Sequence, residues 1–382
     1  MSETLGQKAQ IVAAGRSEQL LNIQALRFVA AFAVVVLHCS FYTAERLDPS
    51  LGIYALGASG VRLFFVISGF VMVASSHRLE GTPHGWRVFA LKRVVRIVPM
   101  YWAITTVKLA MLLAVPAVVL HSHIDWPYIV KSYLFIPSLN KDGELHPLLG
   151  VGWTLNFEMF FYLLFTLALA LKIAPLRLIA PVLVALSALS LVRTPGWPAP
   201  LQFWADPMVL DFLAGMLLAI ALRRGIRVPQ AAAWFCLLGG LAYLLLPLPR
   251  PAPYGTFLFS FACTIAATMA IAGAIELEEK IAGMLPKWVL FMGSVSYALY
   301  LIHPILAPVA PTLMKHFGLY LPVLAIAITI AIAIVGGIVA YMLVEQPLTR
   351  RMNDALRKRH LYAAVPPSPP AAVPSHATGG PD

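Results

Sequence analysis

Long runs of apolar residues, broken by short polar connections, dominate this chain. A bilayer core of about 30 Å takes about 20 apolar residues per helix. The runs predict ten such helices, at 24–43, 51–75, 90–115, 152–171, 176–192, 207–222, 231–248, 256–275, 289–311 and 320–344. The dyad alternation of β-barrel strands is missing from them. The fold class that follows is all-α, a polytopic integral membrane bundle of about ten transmembrane helices with both termini cytoplasmic. It divides into a cytoplasmic N-terminal segment 1–21, a transmembrane domain 22–349 and a tail 350–382. The tail is basic at first, then rich in Pro and Ala, and is expected to be disordered after His360. The longest connection, 117–150, holds Trp126, Pro127, Tyr128 and the polar stretch Asn140 to Glu144. Such a segment is suited to dip back into the protein or to cap a cavity.

Composition narrows the classes further. Hydrophobic residues make up 60% and charged residues 12% of 382, against roughly half and a quarter in soluble domains. The net charge of +11 does not argue for nucleic acid, because the cations are first to be placed against the bilayer. With the N-terminus cytoplasmic, the inside segments carry 19 Lys and Arg and the outside segments 6. That bias suits an even number of spans. The first 20 residues lack the short apolar core and cleavage site of a secretory signal, so the first helix is expected to remain as an anchor. Cys39, Cys236 and Cys263 lie in apolar runs without pair spacing and read as buried free thiols. No metal-ligand cluster, Gly-rich nucleotide loop or Gly-x-Ser-x-Gly elbow stands out.

Ionisable residues inside spans carry the chemistry, since burying them in a membrane is costly. Arg27 and His38 are 11 residues apart in the first helix, three turns along one face and about 16 Å along the axis. Glu158 in the fourth helix and His303 in the ninth come out at about the depth of His38 when 1.5 Å per residue is counted from each boundary. One buried polar cluster is therefore expected, in which His38 acts as general base and Glu158 orients its ring. A structural hydrogen bond between helices is the bland alternative, and the His303-Pro304 pair can simply end or bend a helix. Cys39 points about 100° away from His38 and does not face it. Arg93 and Arg96 share a face at the cytoplasmic edge, where anchoring is the usual role, yet paired guanidinium forks also suit phosphates. Gly57, Gly60, Ser68 and Gly69 suit close helix packing. Trp153 reads as an interface anchor or as a face for a sugar ring. Arg62 lies near a span midpoint and needs a partner that the sequence does not name.

These segments resemble the membrane acyltransferase-3 family of bacterial O-acyltransferases, and among them the exopolysaccharide O-acetyltransferase members. The resemblance covers about residues 22–352. It is carried by Ile23 to Arg27 with Leu37-His38, Gly60 to Phe70, Arg93 to Trp102, Gly152 to Glu158, Ser296-Tyr297 to His303-Pro304, and Val344 to Pro347. It implies transfer of an acyl group, usually acetyl from acetyl-CoA, to a hydroxyl of an exported or envelope polysaccharide or a lipid-linked glycan. The setting it implies is the bacterial inner membrane, beside partners in polysaccharide synthesis or export. His38 matches the family's essential histidine, and Arg27, Arg93 and Arg96 match its essential arginines. Many relatives carry Asp where Arg62 stands, so Arg62 receives no role. No esterase-like extracytoplasmic domain is fused to the chain, and transfer is expected within the membrane part or with a separate partner.

Read together, the CoA phosphates dock on Arg27, Arg93 and Arg96, and the pantetheine arm reaches His38. Glu158 orients that ring, while Trp153, Asn156 and His303 contact the acceptor. No metal is expected. The reading from another class is a transporter or flippase of lipid-linked sugars, which also places charges across a bilayer; the absence of a visible repeat tells against it. A non-catalytic scaffold of an export complex is a third reading.

Overall fold

The computed structural model describes residues 20–116, 119–253 and 255–358, and among them all regular structure is helical. The main helices are α1 (Leu21–Arg46), α2 (Gly60–Ser76), α3 (Gly85–Ala114), α4 (Trp126–Tyr133) and α5 (Trp153–Ala170). They continue as α6 (Pro175–Leu189), α7 (Ala199–Trp204), α8 (Val209–Arg223), α9 (Gln230–Leu245) and α10 (Phe257–Glu276). The last are α11 (Glu278–Ile281), α12 (Lys287–Leu306), α13 (Val309–His316), α14 (Pro322–Ala340) and α15 (Gln346–Lys358).

Each of the ten expected spans falls on a helix. Eight of these are long and apolar enough to cross a bilayer. The other two, α8 with 15 residues and α9 with 16, are shorter than the usual crossing length. The chain is thus a multi-pass membrane protein. Leu163, Leu171, Phe235, Val323 and Leu343 are more than half exposed, an arrangement suited to lipid and not to water. Residues 1–19 and 359–382, which hold most of the N-terminal segment and the Pro- and Ala-rich tail, lie outside the described residues. The basic stretch 350–358, expected to open the tail, is instead helical: α15 continues α14 through a π-helical turn at Tyr341–Glu345. The ninth span ends at Leu306, and α13 starts after Pro308.

Small residues decide which helices approach closely. A Cβ on Gly69 would drive into the backbone carbonyl of Phe212, and one on Gly215 into that of Val66, so α2 and α8 pack backbone to backbone. Gly240 and Gly273 do the same for α9 and α10. Gly57 and Gly60 bring the start of α2 against Ala33 and Ala30 of α1. Gly293 lets α12 lie on Gln24 of α1, whose side-chain amide donates to the Leu290 carbonyl and Ser294 Oγ, each at 2.7 Å. The N-terminus of α1 is capped from another helix: Glu278 accepts from the backbone N–H groups of Leu21 at 2.6 Å and Asn22 at 3.0 Å. A carboxylate there satisfies orphan donors and complements the helix dipole. These contacts hold α1 and α12 side by side, and the candidate site forms between them.

Candidate active site

The structure sorts the ionisable residues into two cavities that share no lining residue. The first, of about 290 Å³, holds Arg27 of α1, Arg93 and Arg96 of α3, Glu158 of α5 and Glu345 of the π-helical turn. The second, of about 510 Å³, holds His38 and Arg46 of α1, Lys108 of α3 and Trp153 of α5. His121, Asn140, Glu144 and His146 also line it. Residues 119–150 of the long connection therefore cover the second cavity.

In the arginine cavity, Arg93 donates to Ser75 Oγ at 2.7 Å, and its guanidinium carbon lies 5.3 Å from the Phe89 ring and 5.5 Å from the Tyr162 ring. These contacts hold the fork in one orientation. Pro99, inside α3 just past Arg96, cannot donate to the Val95 carbonyl. Nearby, Tyr297 of α12 donates to the Ile97 carbonyl at 2.7 Å, tying α12 to this stretch. Glu158 accepts from Ser68 Oγ at 3.1 Å and from the Tyr162 hydroxyl. Glu345 is buried, and its Oε2 has no hydrogen-bond partner among the described residues. With both carboxylates ionised, three guanidinium groups against two carboxylates leave a surplus positive charge that suits phosphate.

In the histidine cavity the ring of His38 has a partner, and it is His303. His303 Nε2 lies 3.2 Å from His38 Nδ1, while His38 Nδ1 also lies 2.9 Å from the Val34 carbonyl and His303 Nδ1 lies 3.1 Å from the Leu299 carbonyl. Carbonyl oxygens only accept, so both Nδ1 atoms carry hydrogen and His303 Nε2 accepts from His38. His38 Nε2 makes no hydrogen bond among the described residues, and in the neutral ring it is the nitrogen that carries the lone pair. A neutral ring, held at Nδ1 and open at Nε2 on a cavity, is configured as a general base.

Three residues stand elsewhere than expected. Glu158 makes no hydrogen bond to His38 and belongs to the arginine cavity. Along α5, Thr154, Leu155, Glu158 and Tyr162 share the face toward that cavity, whereas Trp153 faces the other. Thr154 already pairs with Tyr300, three residues short of His303, so Glu158 lies about 10 Å further along. His303 is fully buried and lines neither cavity, so it stands behind His38 and not against an acceptor. Asn156 is likewise buried, lines neither cavity, and its Oδ1 has no hydrogen-bond partner among the described residues.

A closed layer separates the cavities. The Thr154 and Tyr300 hydroxyls lie 2.9 Å apart, and both donate to the Val151 carbonyl, at 3.0 and 3.2 Å. Tyr300 and Thr154 line the arginine cavity and Val151 the histidine cavity. The Tyr300 ring touches Phe64 and His303, each with centroids 5.9 Å apart.

The acyltransferase-3 family, described as an acyltransferase domain, matches residues 20–342, a range that takes in every lining residue of both cavities except Glu345. The chain belongs to this family. It is 33% identical to the exopolysaccharide production protein ExoZ of Rhizobium meliloti, over 81% of this chain and 94% of that protein. It is 25% identical to the acyltransferase MdmB of Streptomyces mycarofaciens, over 92% of this chain and 97% of that one. No solved structure matches it. Sequence reasoning about this acyltransferase missed Glu345, Tyr300 and Thr154. The signal for Glu345 was available, an acid at the end of the last apolar run. Nothing local marks the two hydroxyls.

Arg62, left without a role, finds Asp211 of α8 at 3.1 Å, and its second terminal nitrogen donates to Ser260 of α10. Thr264 donates to the other oxygen of Asp211. Both ions are almost fully buried and line neither cavity, so this is a structural ion pair between helices.

Proposed function

We propose that this protein moves an acyl group, in the first instance acetyl, from acyl-CoA to a hydroxyl of an exported or cell-envelope polysaccharide or its lipid-linked precursor. The single observation that carries the reading is the His38 ring, which lines a cavity with its Nδ1 held by Val34 and His303 and its Nε2 without a hydrogen bond among the described residues. The name of the relative ExoZ, an exopolysaccharide production protein, supports a polysaccharide acceptor. The excess of Lys and Arg on one side of the predicted spans supports a bacterial inner-membrane protein with the arginine cavity toward the cytoplasm, where acyl-CoA is found.

In this reading Arg27, Arg93 and Arg96 hold the CoA phosphates, and the acceptor hydroxyl enters the histidine cavity beside Trp153. As the hydroxyl oxygen attacks the thioester carbonyl, His38 Nε2 takes its proton. The C–S bond then breaks, and the departing thiolate takes the proton back, giving ester and free CoA thiol. Val34 and His303 hold the proton on Nδ1 throughout and so keep Nε2 basic. The layer formed by Tyr300, Thr154 and Val151 lies across the expected 16 Å path, and it opens for the thioester to meet His38. Glu158 and Glu345 limit the net charge of the CoA site.

The test is mass analysis of surface glycans from cells with and without the protein. A lost acyl mass without it, restored by wild type and not by His38→Ala, is the expected result, with CoA binding retained in the variant. Full acylation by His38→Ala defeats the assignment.

A further inference from the structure

The charges lining the histidine cavity are mostly accounted for within the protein. Arg46 pairs with Glu45 at 3.0 Å. His121 lies between Glu45 at 2.6 Å and Asp142 at 2.9 Å. Glu144 accepts from Asn140 Nδ2 at 3.0 Å and lies 3.1 Å from His146 Nδ1. Lys108 is the exception. It is half-buried, lines the cavity with His38, and has neither a hydrogen bond nor an ion pair among the described residues.

Its position is tied to the proposed chemistry. Lys108 is 12 residues beyond Arg96 on α3, about 18 Å, as His38 is about 16 Å beyond Arg27 on α1. Both helices thus carry guanidinium at one cavity and a functional group at the other. An ammonium taken partly out of water without a counter-ion is costly, and an incoming anion recovers that cost.

We propose that the histidine cavity takes an acceptor bearing a negative charge, with Lys108 as its counter-ion; the anion is a sugar carboxylate or the diphosphate of a lipid-linked glycan. The inference rests on the acyltransferase reading and adds the class of acceptor. The ammonium binds the anion while His38 works on a hydroxyl of the same molecule, so Lys108 selects and positions the acceptor and leaves the donor untouched.

The experiment uses cells producing the full-length protein as wild type, Lys108→Met or Lys108→Arg. Their glycans are separated by anion exchange into neutral, carboxylated and diphosphate-lipid-linked fractions, and acyl mass is measured in each. Wild type is expected to acylate only charged glycans, and the acylated fraction identifies which anion is read. Lys108→Met is expected to lower acyl transfer by about tenfold to a hundredfold, the loss of one charge-assisted contact, and Lys108→Arg to retain most of it. CoA binding to purified protein stays at the wild-type level in both. Neutral glycans acylated at wild-type density, or full transfer by Lys108→Met, overturn the inference, the latter being what an ammonium that merely snorkels to the interface predicts. If Lys108→Met fails to fold, the wild-type distribution among fractions still decides. Acyl mass on neutral glycans sinks this inference alone, whereas none on any glycan sinks the acyltransferase reading with it.

Discussion

Replacing His303 by Ala separates the two histidines. His303 Nε2 accepts from His38 Nδ1 at 3.2 Å, and the same N–H has the Val34 carbonyl at 2.9 Å. The variant therefore keeps the tautomer of His38 and loses one of two restraints on its ring. In the ground state that contact joins two neutral rings and is worth about 0.5–1.5 kcal/mol. In the transition state His38 gains a proton, and the contact becomes a charge-assisted bond of about 1.5–3 kcal/mol. Only the difference, about 1–1.5 kcal/mol, lowers the barrier, which is a factor of about five to thirteen in rate. Removing the base itself with His38→Ala costs about 10²–10⁴. The assay is free CoA thiol released by protein in lipid nanodiscs, with acyl-CoA and acceptor varied in turn. His303→Ala is expected to lower kcat and leave KM for both substrates near wild type, because His303 lines neither cavity. A variant as inactive as His38→Ala, with CoA binding intact, would show that His303 moves the proton itself. An unchanged kcat would show that the contact plays no part in the transition state.

Three further outcomes are expected. Asp211→Ala leaves the buried Arg62 guanidinium uncompensated and should cost about 3–5 kcal/mol of stability, read as a large drop in thermal midpoint; Arg62→Leu with Asp211→Leu should recover most of it and keep transfer activity, and loss of activity in a stable double variant would give the pair a functional role. Tyr300→Phe with Thr154→Val removes the hydroxyls of the closed layer and should raise acyl-CoA hydrolysis without acceptor several-fold, measured as free thiol; unchanged hydrolysis would show that the layer does not gate the thioester. His121 is pulled down by burial, but the Asp142 and Glu45 carboxylates outweigh that and hold its pKa above the usual range. A raised folded pKa means the clasp between residues 119–150 and the end of α1 is complete below about pH 6.5 and is lost as pH rises through the raised value. Protection factors for amide exchange across residues 119–150, corrected for the intrinsic base-catalysed rate at each pH, should accordingly be higher at about pH 6 than at about pH 9, and His121→Ala should abolish that difference.

The spans were legible because membrane burial writes them as long apolar runs, and each run fell on a helix. The Arg27 to His38 spacing was equally legible, being a property of one helix. Relations between helices were not. Counting residues from each boundary brought His38, Glu158 and His303 to one depth, and His38 and His303 do meet. Glu158 failed because depth carries no azimuth: its side chain leaves α5 on the face shared with Thr154 and Tyr162, toward the arginines. Asp211, the partner of Arg62, lies 149 residues away, and no local pattern joins them. Glu345 was visible as an acid at the end of the last apolar run, but the π-helical turn at Tyr341–Glu345 that carries it, a feature often found at functional sites, was not.

The closed layer between the cavities changes what the site has to solve. A base able to activate a sugar hydroxyl also activates water, so a thioester standing permanently beside His38 would be hydrolysed. In the proposed mechanism the donor is kept below Tyr300 and Thr154, which separates the acyl carbon from the base until the layer opens. Two neutral hydroxyl contacts tie it to Val151, about 1 kcal/mol each. Because Tyr300 also packs against His303, the ring that steadies His38, movement of Tyr300 is felt at the base. In the proposed mechanism, admission of the acyl group and alignment of the imidazole are thereby coupled through one side chain, and no separate signal is needed to keep the thioester from the base until the layer opens.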